Sequence, residues 1–184
     1  MTLTNHTIEQ LLPLCKTNDR LAQIEVYNRY FKTMYNTAYR IVRDANKAED
    51  IMQESFLSAF SKLDTLIDPK MFGAWLKRIV VNNSIHYYKQ ICKQEDVPLE
   101  AVMYKVENEQ EISENEDLTS SKVAQVLDAM KSLKDNYRLS LNLHLIEGYD
   151  YEEICQIMNI SHANCRTMIS RAKESLRQKL LSMS

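Results

Sequence analysis

Three observations predict an all-α fold in two small helical domains joined by an acidic linker. Glycine and proline are scarce, 2 and 3 among 184 residues, which favours long helices with few turns. Apolar residues recur every three or four positions through most of the chain. Charge is spread unevenly: residues 1–93 carry 13 Lys/Arg against 9 Asp/Glu, residues 94–118 carry 1 against 9, and residues 119–184 carry 9 against 7. The net charge of −2 therefore conceals a block of −8 between blocks of +4 and +2, and this asymmetry says more about partners than the total does. Apolar residues make up 45% of the chain, enough for a core. No apolar run approaches the ~18 residues of a membrane span. The start, MTLTNHTIEQ, has no basic cluster ahead of an apolar stretch. A cytoplasmic protein without membrane insertion is the expectation.

Each element follows from its caps and its stripe. Thr7 can cap a short helix from Ile8 to about Lys16. A second helix spans about Arg20 to Val42, with Ile24, Tyr27, Phe31, Met34, Ala38 and Ile41 expected inward. Asp44 caps a third, whose inward stripe is Ala48, Ile51, Met52, Ser55, Phe56, Ala59, Phe60 and Leu63. Asp68 and Pro69 interrupt, and Pro69 suits the first turn of a fourth helix. That helix buries Phe72, Trp75, Leu76, Ile79 and Val80 and runs to about Lys93. Residues 94–118 contain Pro98 and show no sustained apolar period; they read as a tether. A helix from about Thr119 then places Val123, Val126, Leu127, Met130 and Leu133 inward. The stretch Arg138–Ile146 alternates polar and apolar residues, as a strand would. With no partner strand in view, it is assigned to a helix buried between neighbours, and Gly148 suits its C-terminal end. Asp150 and Glu153 form a capping-box pair opening a helix with Tyr151, Ile154, Cys155 and Met158 inward. After Asn159-Ile160-Ser161, Ser161 caps a last helix that buries Cys165, Met168 or Ile169, Ala172, Leu176 and Leu180.

The segment Asp150–Lys179 carries the strongest functional signal. A capped eight-residue helix, a three-residue turn and a longer helix with a basic outer face describe a helix-turn-helix. The outer face holds Arg166, Thr167, Ser170 and Arg171, with Lys173, Arg177 and Lys179 beside them. Arg can read a guanine edge with two hydrogen bonds, hydroxyl side chains accept varied bases, and flanking cations neutralise phosphates. The plainer reading is a solvated basic helix, and the short turn between two apolar-faced helices weighs against it.

On these residues the chain resembles a family. GYDYEEICQIMNISHANCRTMISRAKESLRQKL is similar to the promoter-recognition helix-turn-helix of extracytoplasmic-function (ECF) sigma factors of bacterial RNA polymerase. AEDIMQESFLSAF resembles that family's core-polymerase-binding helix, and the segment around WLKRIVVNN its downstream-promoter helix. The resemblance implies an alternative sigma factor with residues 1–93 binding core polymerase and the downstream promoter element, 94–118 as linker and 119–184 binding the upstream element. It implies that the face carrying Asp50, Gln53, Glu54 and Leu57 docks the β′ clamp helices, where exposed acceptors suit Arg on a partner helix. It also implies contact with the β flap, promoter DNA and an anti-sigma factor as partners, and a monomer when free. The fourth helix and the preceding loop Thr65–Met71 would meet melted DNA through Trp75, Arg78, Asn82 and Lys89, although Trp75 is read first as core packing. Arg166, Thr167, Ser170, Arg171 and Lys173 would contact the upstream element. The chain departs from the family at Val81, His86, Gln90 and Met168, where members often carry Arg, an acid, Arg and Arg. Those departures imply a differently weighted downstream contact and one phosphate contact fewer upstream.

Three other classes fit less of the chain. A stand-alone helix-turn-helix regulator explains the last 35 or so residues but gives the third and fourth helices no role, and no dimerisation heptads are visible. A protein-only helical adaptor leaves the cluster from Arg166 to Lys179 without one. An enzyme lacks support: there is no phosphate-binding glycine loop, no HExxH and no nucleophile–base pair. The cysteines Cys15, Cys92, Cys155 and Cys165 are scattered and make no disulfide framework. Cys155, His162 and Cys165 lie close in sequence, but without a paired CxxC no metal or other cofactor is expected. The acidic linker is expected to act as a plain spacer or as a partial nucleic-acid mimic that shields the basic helices.

Overall fold

The computed structural model describes residues 3–94 and 119–183. The tether over 95–118, with its spacer and mimic readings, lies outside these residues. The chain divides into two compact units, Met1–Gln90 and Ile91–Ser184, each helical throughout its regular structure.

The first unit contains α1 (Ile8–Lys16), α2 (Arg20–Val42), α3 (Ala45–Ser61) and all but the last turn of α4 (Phe72–Gln94). Helix starts are set by short polar side chains that accept from otherwise orphaned amides. Asp19 accepts from Leu21 and Ala22, and Asp44 accepts from Lys47 N–H at 2.9 Å. At α1 the Gln10 side chain reaches back to the Thr7 N–H at 2.9 Å. The residues N-terminal to α1 are tied down by Arg29 of α2, which donates to the carbonyls of His6 (2.7 Å) and Thr4 (2.9 Å) while pairing with Glu25. Pro69 opens a 3₁₀ turn, Pro69–Met71, that runs into α4, with Asp68 capping Lys70 N–H. The core gathers Leu11, Leu12, Val26, Met34, Met52, Phe56, Leu63, Phe72, Leu76 and Val80. Rings knit it further: Tyr27 on Phe56 (4.9 Å between centroids), Tyr30 on Phe72 (5.3 Å), and the ladder Phe31–Tyr35–Tyr39 along α2.

The inward stripe of α2 differs from the expected one at its start. Ile24 is 51% exposed, and the buried residues are Ala22, Val26, Met34, Thr37, Ala38 and Ile41. The two stripes share their C-terminal half. Small Ala22 and Val26 face the neighbouring helices because close helix approach favours small side chains there.

The second unit contains α5 (Thr119–Lys131), α6 (Asp135–Leu141), α7 (Tyr151–Met158) and α8 (His162–Met183). Ala129, Met130, Leu133, Leu141, Ala172 and Leu176 form the core of α5, α6 and α8. Packing begins in the second half of α5, so Val123 and Leu127, expected inward, are exposed. The alternating stretch is helical, as expected, but it changes pitch. After α6 comes a π-helical turn, Asn142–Ile146, closed by Glu147 N–H on the Asn142 carbonyl at 2.9 Å. Every residue from Arg138 to Leu143 is buried. A helix enclosed on all sides explains leucines two apart without a strand. Buried Arg138 is held by Asp135, with Nη2 and Nε at 3.3 and 3.4 Å from its carboxylate. Gly148 ends the segment at φ +80°, a left-handed geometry that glycine adopts without strain.

Candidate nucleic-acid interface

Helix α7, its turn and α8 form a helix-turn-helix whose joints are fixed locally. Asp150 and Glu153 bond reciprocally, Glu153 N–H to Asp150 at 2.8 Å and Asp150 N–H to Glu153 at 3.1 Å, so two orphan donors at the start of α7 are satisfied. Asn159 ends α7 in the left-handed region at φ 54°. Ser161 Oγ accepts from Asn164 N–H at 3.3 Å and opens α8. Between the helices, Ile154, Ile157, Met158, Cys165 and Ile169 are buried. Tyr151 bridges His144 and His162 by ring contacts at 5.1 and 6.3 Å. Burial on this side leaves the other face of α8 to solvent: Arg166, Thr167, Ser170, Arg171 and Lys173 are all exposed.

Charge on that face is concentrated toward its N-terminal part. Farther along, Arg177 pairs with Glu174, and Gln178 donates to the same carboxylate at 2.9 Å. Those contacts hold the Glu174 carboxyl below its ordinary range, the Gln178 hydrogen bond foremost and the Arg177 charge next. Arg177 is one of the cations that the sequence places on the outward side. The i, i+3 spacing from Glu174 was the signal that part of its charge is compensated. Met168, at a departure from the family pattern, is half-buried.

On α3 the side chains of Asp50, Gln53, Glu54 and Leu57 lie together on the exposed face, opposite the buried stripe, and Leu57 is 71% exposed. Two neighbours missed by the sequence reading order this face. Lys47 Nζ sits 3.2 Å from Asp50 Oδ2, and Gln53 Nε2 donates to Glu49 at 3.1 Å. The Asp50 contact raises the Lys47 ammonium above its usual pKa, through the hydrogen bond first and then through charge.

On α4, adjacent asparagines divide their work. Asn83 is half-buried and donates to Ser55 Oγ at 2.9 Å, joining α4 to α3. Asn82, one residue earlier, is exposed beside Arg78. Lys89 is half-buried on the same side. Trp75 is half-buried against Phe72 (6.0 Å) and the core, in keeping with its packing role. Val81 is fully buried, so a long cation would not fit that position without repacking. His86 and Gln90 stand where the family often has an acid and an Arg, and their side chains meet at 3.0 Å. The contact spans one helical turn, i to i+4. The loop before α4 displays two apolar side chains, Ile67 (99% exposed) and Met71. Both lie in the stretch Thr65–Met71 that the family resemblance sets near melted DNA.

Among the described residues, no group of three or more His, Cys, Asp or Glu is arranged to hold a metal ion, and no helix is long and apolar enough to cross a membrane.

Comparisons with known proteins bear on both units. Residues 26–91 match the family model Sigma-70 region 2, and residues 123–176 match Sigma-70, region 4. ECF RNA polymerase sigma factor SigM of Bacillus subtilis is 27% identical over 154 residues, 83% of this chain and 91% of the relative. The ECF RNA polymerase sigma-E factor of Salmonella typhimurium is 31% identical over 141 residues, 71% of this chain and 72% of the relative. The fold is shared with CnrH, solved in complex with the cytosolic domain of CnrY (TM-score 0.53, 20% identity, 95% of this chain and 97% of that one). It is also shared with the sigma factor RpoE from Bartonella quintana, solved with the anti-sigma factor NepR (TM-score 0.57, 19% identity, 85% and 94%). With both sigma-70 regions matched in order and a relative at this identity, the chain belongs to the ECF RNA polymerase sigma factors, the alternative sigma factors of transcription initiation.

Proposed function

We propose that the protein joins core RNA polymerase in the cytoplasm and directs it to a promoter through two separate DNA contacts. The observation that carries this reading is the exposed row Arg166, Thr167, Ser170, Arg171 and Lys173 on a helix whose opposite face is buried in a capped helix-turn-helix. In this reading residues 119–184 hold the upstream element: Arg166 and Arg171 read base edges in the major groove, and Lys173 holds a phosphate. Residues 1–93 bind core and the downstream element, with 94–118 as the link. Asp50, Gln53, Glu54 and Leu57 dock on the β′ clamp helices, and the second unit meets the β flap. Arg78, Asn82 and Lys89 hold melted DNA, with Trp75 supporting them from the core. The chain performs no chemistry of its own; bond formation belongs to the core enzyme. It is a monomer when free. Two structural neighbours were solved in complexes, one with CnrY and one with an anti-sigma factor, and an anti-sigma factor is proposed as a partner here too.

Transcription from a randomised promoter library by core polymerase plus this protein tests the reading. Wild type selects defined upstream and downstream elements. Arg166→Ala or Arg171→Ala costs about 1–3 kcal/mol and relaxes preference at particular upstream positions, whereas Lys179→Ala weakens binding evenly and lowers the salt slope by about one unit. The pair Asp50→Ala and Gln53→Ala weakens assembly with core by about 1–3 kcal/mol with helicity unchanged. Unaltered base preferences in both Arg variants reject the recognition role, and wild-type core affinity in the double variant rejects the α3 docking face.

A further inference from the structure

The first turn of α8 holds His162, Ala163, Asn164 and Cys165, and three of these have an evident place. His162 meets Tyr151 ring to ring at 6.3 Å, Ala163 has no polar side-chain atom, and Cys165 is fully buried. Asn164 is exposed. An asparagine near a helix start ordinarily bonds to a nearby backbone amide. Ser161 already fills that role, its Oγ accepting from Asn164 N–H at 3.3 Å. Among the described residues the Asn164 side-chain amide has no hydrogen-bond partner. Asparagine in a helix is also less stable than alanine, and no bond of this side chain within the protein offsets that cost.

Register ties the residue to the face that carries the proposed DNA contacts. Thr167 and Arg171 stand three and seven positions after Asn164, so the three side chains share one side of α8. All three are exposed, while Cys165, Ile169 and Ala172 are buried on the other side against the rest of the unit. In a helix-turn-helix the N-terminal residues of the recognition helix are the ones that reach base edges. Asn164 therefore stands nearer the expected groove floor than Arg171, one turn and more farther along.

We propose that Asn164 is a further specificity-determining residue, which reads one adenine of duplex DNA in the upstream promoter element. A carboxamide carries an acceptor and a donor side by side, and the adenine edge in the major groove offers the complement. The Asn164 carbonyl oxygen accepts from the N6 amino group, and its NH2 group donates to N7. Guanine presents acceptors at both places and leaves the asparagine oxygen facing another acceptor. The assignment rests on α8 being the recognition helix.

The test uses holoenzyme and duplexes with a randomised upstream element. Wild type is expected to select adenine at one position that Asn164→Ala no longer distinguishes, while the preferences set by Arg166 and Arg171 persist in that variant. Replacing this adenine by 7-deazaadenine, which lacks the N7 acceptor, should lower wild-type affinity about tenfold, in the range of one two-bond base contact, and leave Asn164→Ala unaffected. The modified duplex probes the contact on the unaltered protein, so the result does not depend on how the variant folds. No adenine preference in the wild type, the same selection profile in Asn164→Ala, a loss spread evenly over all sequences, or an equal 7-deazaadenine effect in both proteins overturns the proposal. If Arg166→Ala and Arg171→Ala also leave the profile unaltered, the recognition-helix reading fails with it. If they change the profile and Asn164→Ala does not, only the adenine contact fails.

Discussion

The two units reach a similar end, a helical scaffold that leaves polar side chains exposed, by different means. The first unit relies on long helices and rings. α2 and α4 each run 23 residues, and Tyr27, Tyr30, Phe31, Phe56, Phe72 and Trp75 fill or flank the core. The second relies on short elements and their ends. α6 and α7 have 7 and 8 residues, lengths at which an isolated helix is unstable, and the core of α5, α6 and α8 is built of Ala, Met and Leu. In the first unit the position of a surface side chain follows from which face of a long helix the rings occupy. In the second it follows from caps: Asp150 sets where α7 starts, and Asn159 and Ser161 set where α7 stops and α8 starts, and so where Arg166 points.

This contrast can be broken at its strongest point by removing a ring. Phe72 is fully buried beneath Tyr30 and beside Trp75. Phe72→Ala should cost the protein about 3–5 kcal/mol, seen as a lowered denaturant midpoint for the signal of Trp75. Leu57→Ala, on the exposed face of α3, should stay within about 0.5 kcal/mol. Equal costs for the two would mean that the ring core does not dominate the first unit.

A smaller effect tests the reliance on caps. Asp150→Ala removes the bond to Glu153 N–H and should cost about 1 kcal/mol. Amide exchange should quicken at Glu153 and through α7 while α2 and α3 keep their protection. Unchanged exchange at Glu153 would show that packing of Ile154 and Met158, not the capping box, holds the start of α7.

The smallest expected effect is a difference in alkaline sensitivity. Burial raises Cys15, Tyr27 and Tyr30 in the first unit, with Cys15 reaching about 11, and raises Cys165 to about 11 in the second. Above pH 9 the unfolded thiols release protons that the folded ones still hold, so stability falls as pH rises from 9 toward 11. With Cys15, Tyr27 and Tyr30 all raised, the first unit should lose protection in that window. Cys15→Ala should flatten its pH slope; a slope unaffected by that change would remove the thiol from the account.

Much of the fold was legible because helix ends are local events. The bounds Ile8–Lys16 and Arg20–Val42, the Asp44 cap and the Asp150–Glu153 pair follow from side chains within four residues of the atoms they satisfy. The stripe of α3 was equally plain, since six of its eight residues are fully buried within the helix, Leu63 is buried just past its end, and Phe60 packs beside them. The same stripe, read from its other side, named Asp50, Gln53, Glu54 and Leu57 as outward.

What the sequence determined by itself, then, was the helical kind of most elements, several of their ends and their polar faces, along with the motifs that mark a sigma factor. The tertiary structure alone decided which stretch of each stripe a neighbour covers. It exposed Ile24 and Val123, which share the period of their buried neighbours, and it enclosed Arg138 with Asp135 in a helix that widens to a π turn. It separated Asn82, left exposed, from Asn83, which bonds to Ser55. The physical reason is range: caps and periodicity act over one or two turns of a single helix, whereas burial at a given residue depends on where another helix, distant in sequence, begins and ends its contact.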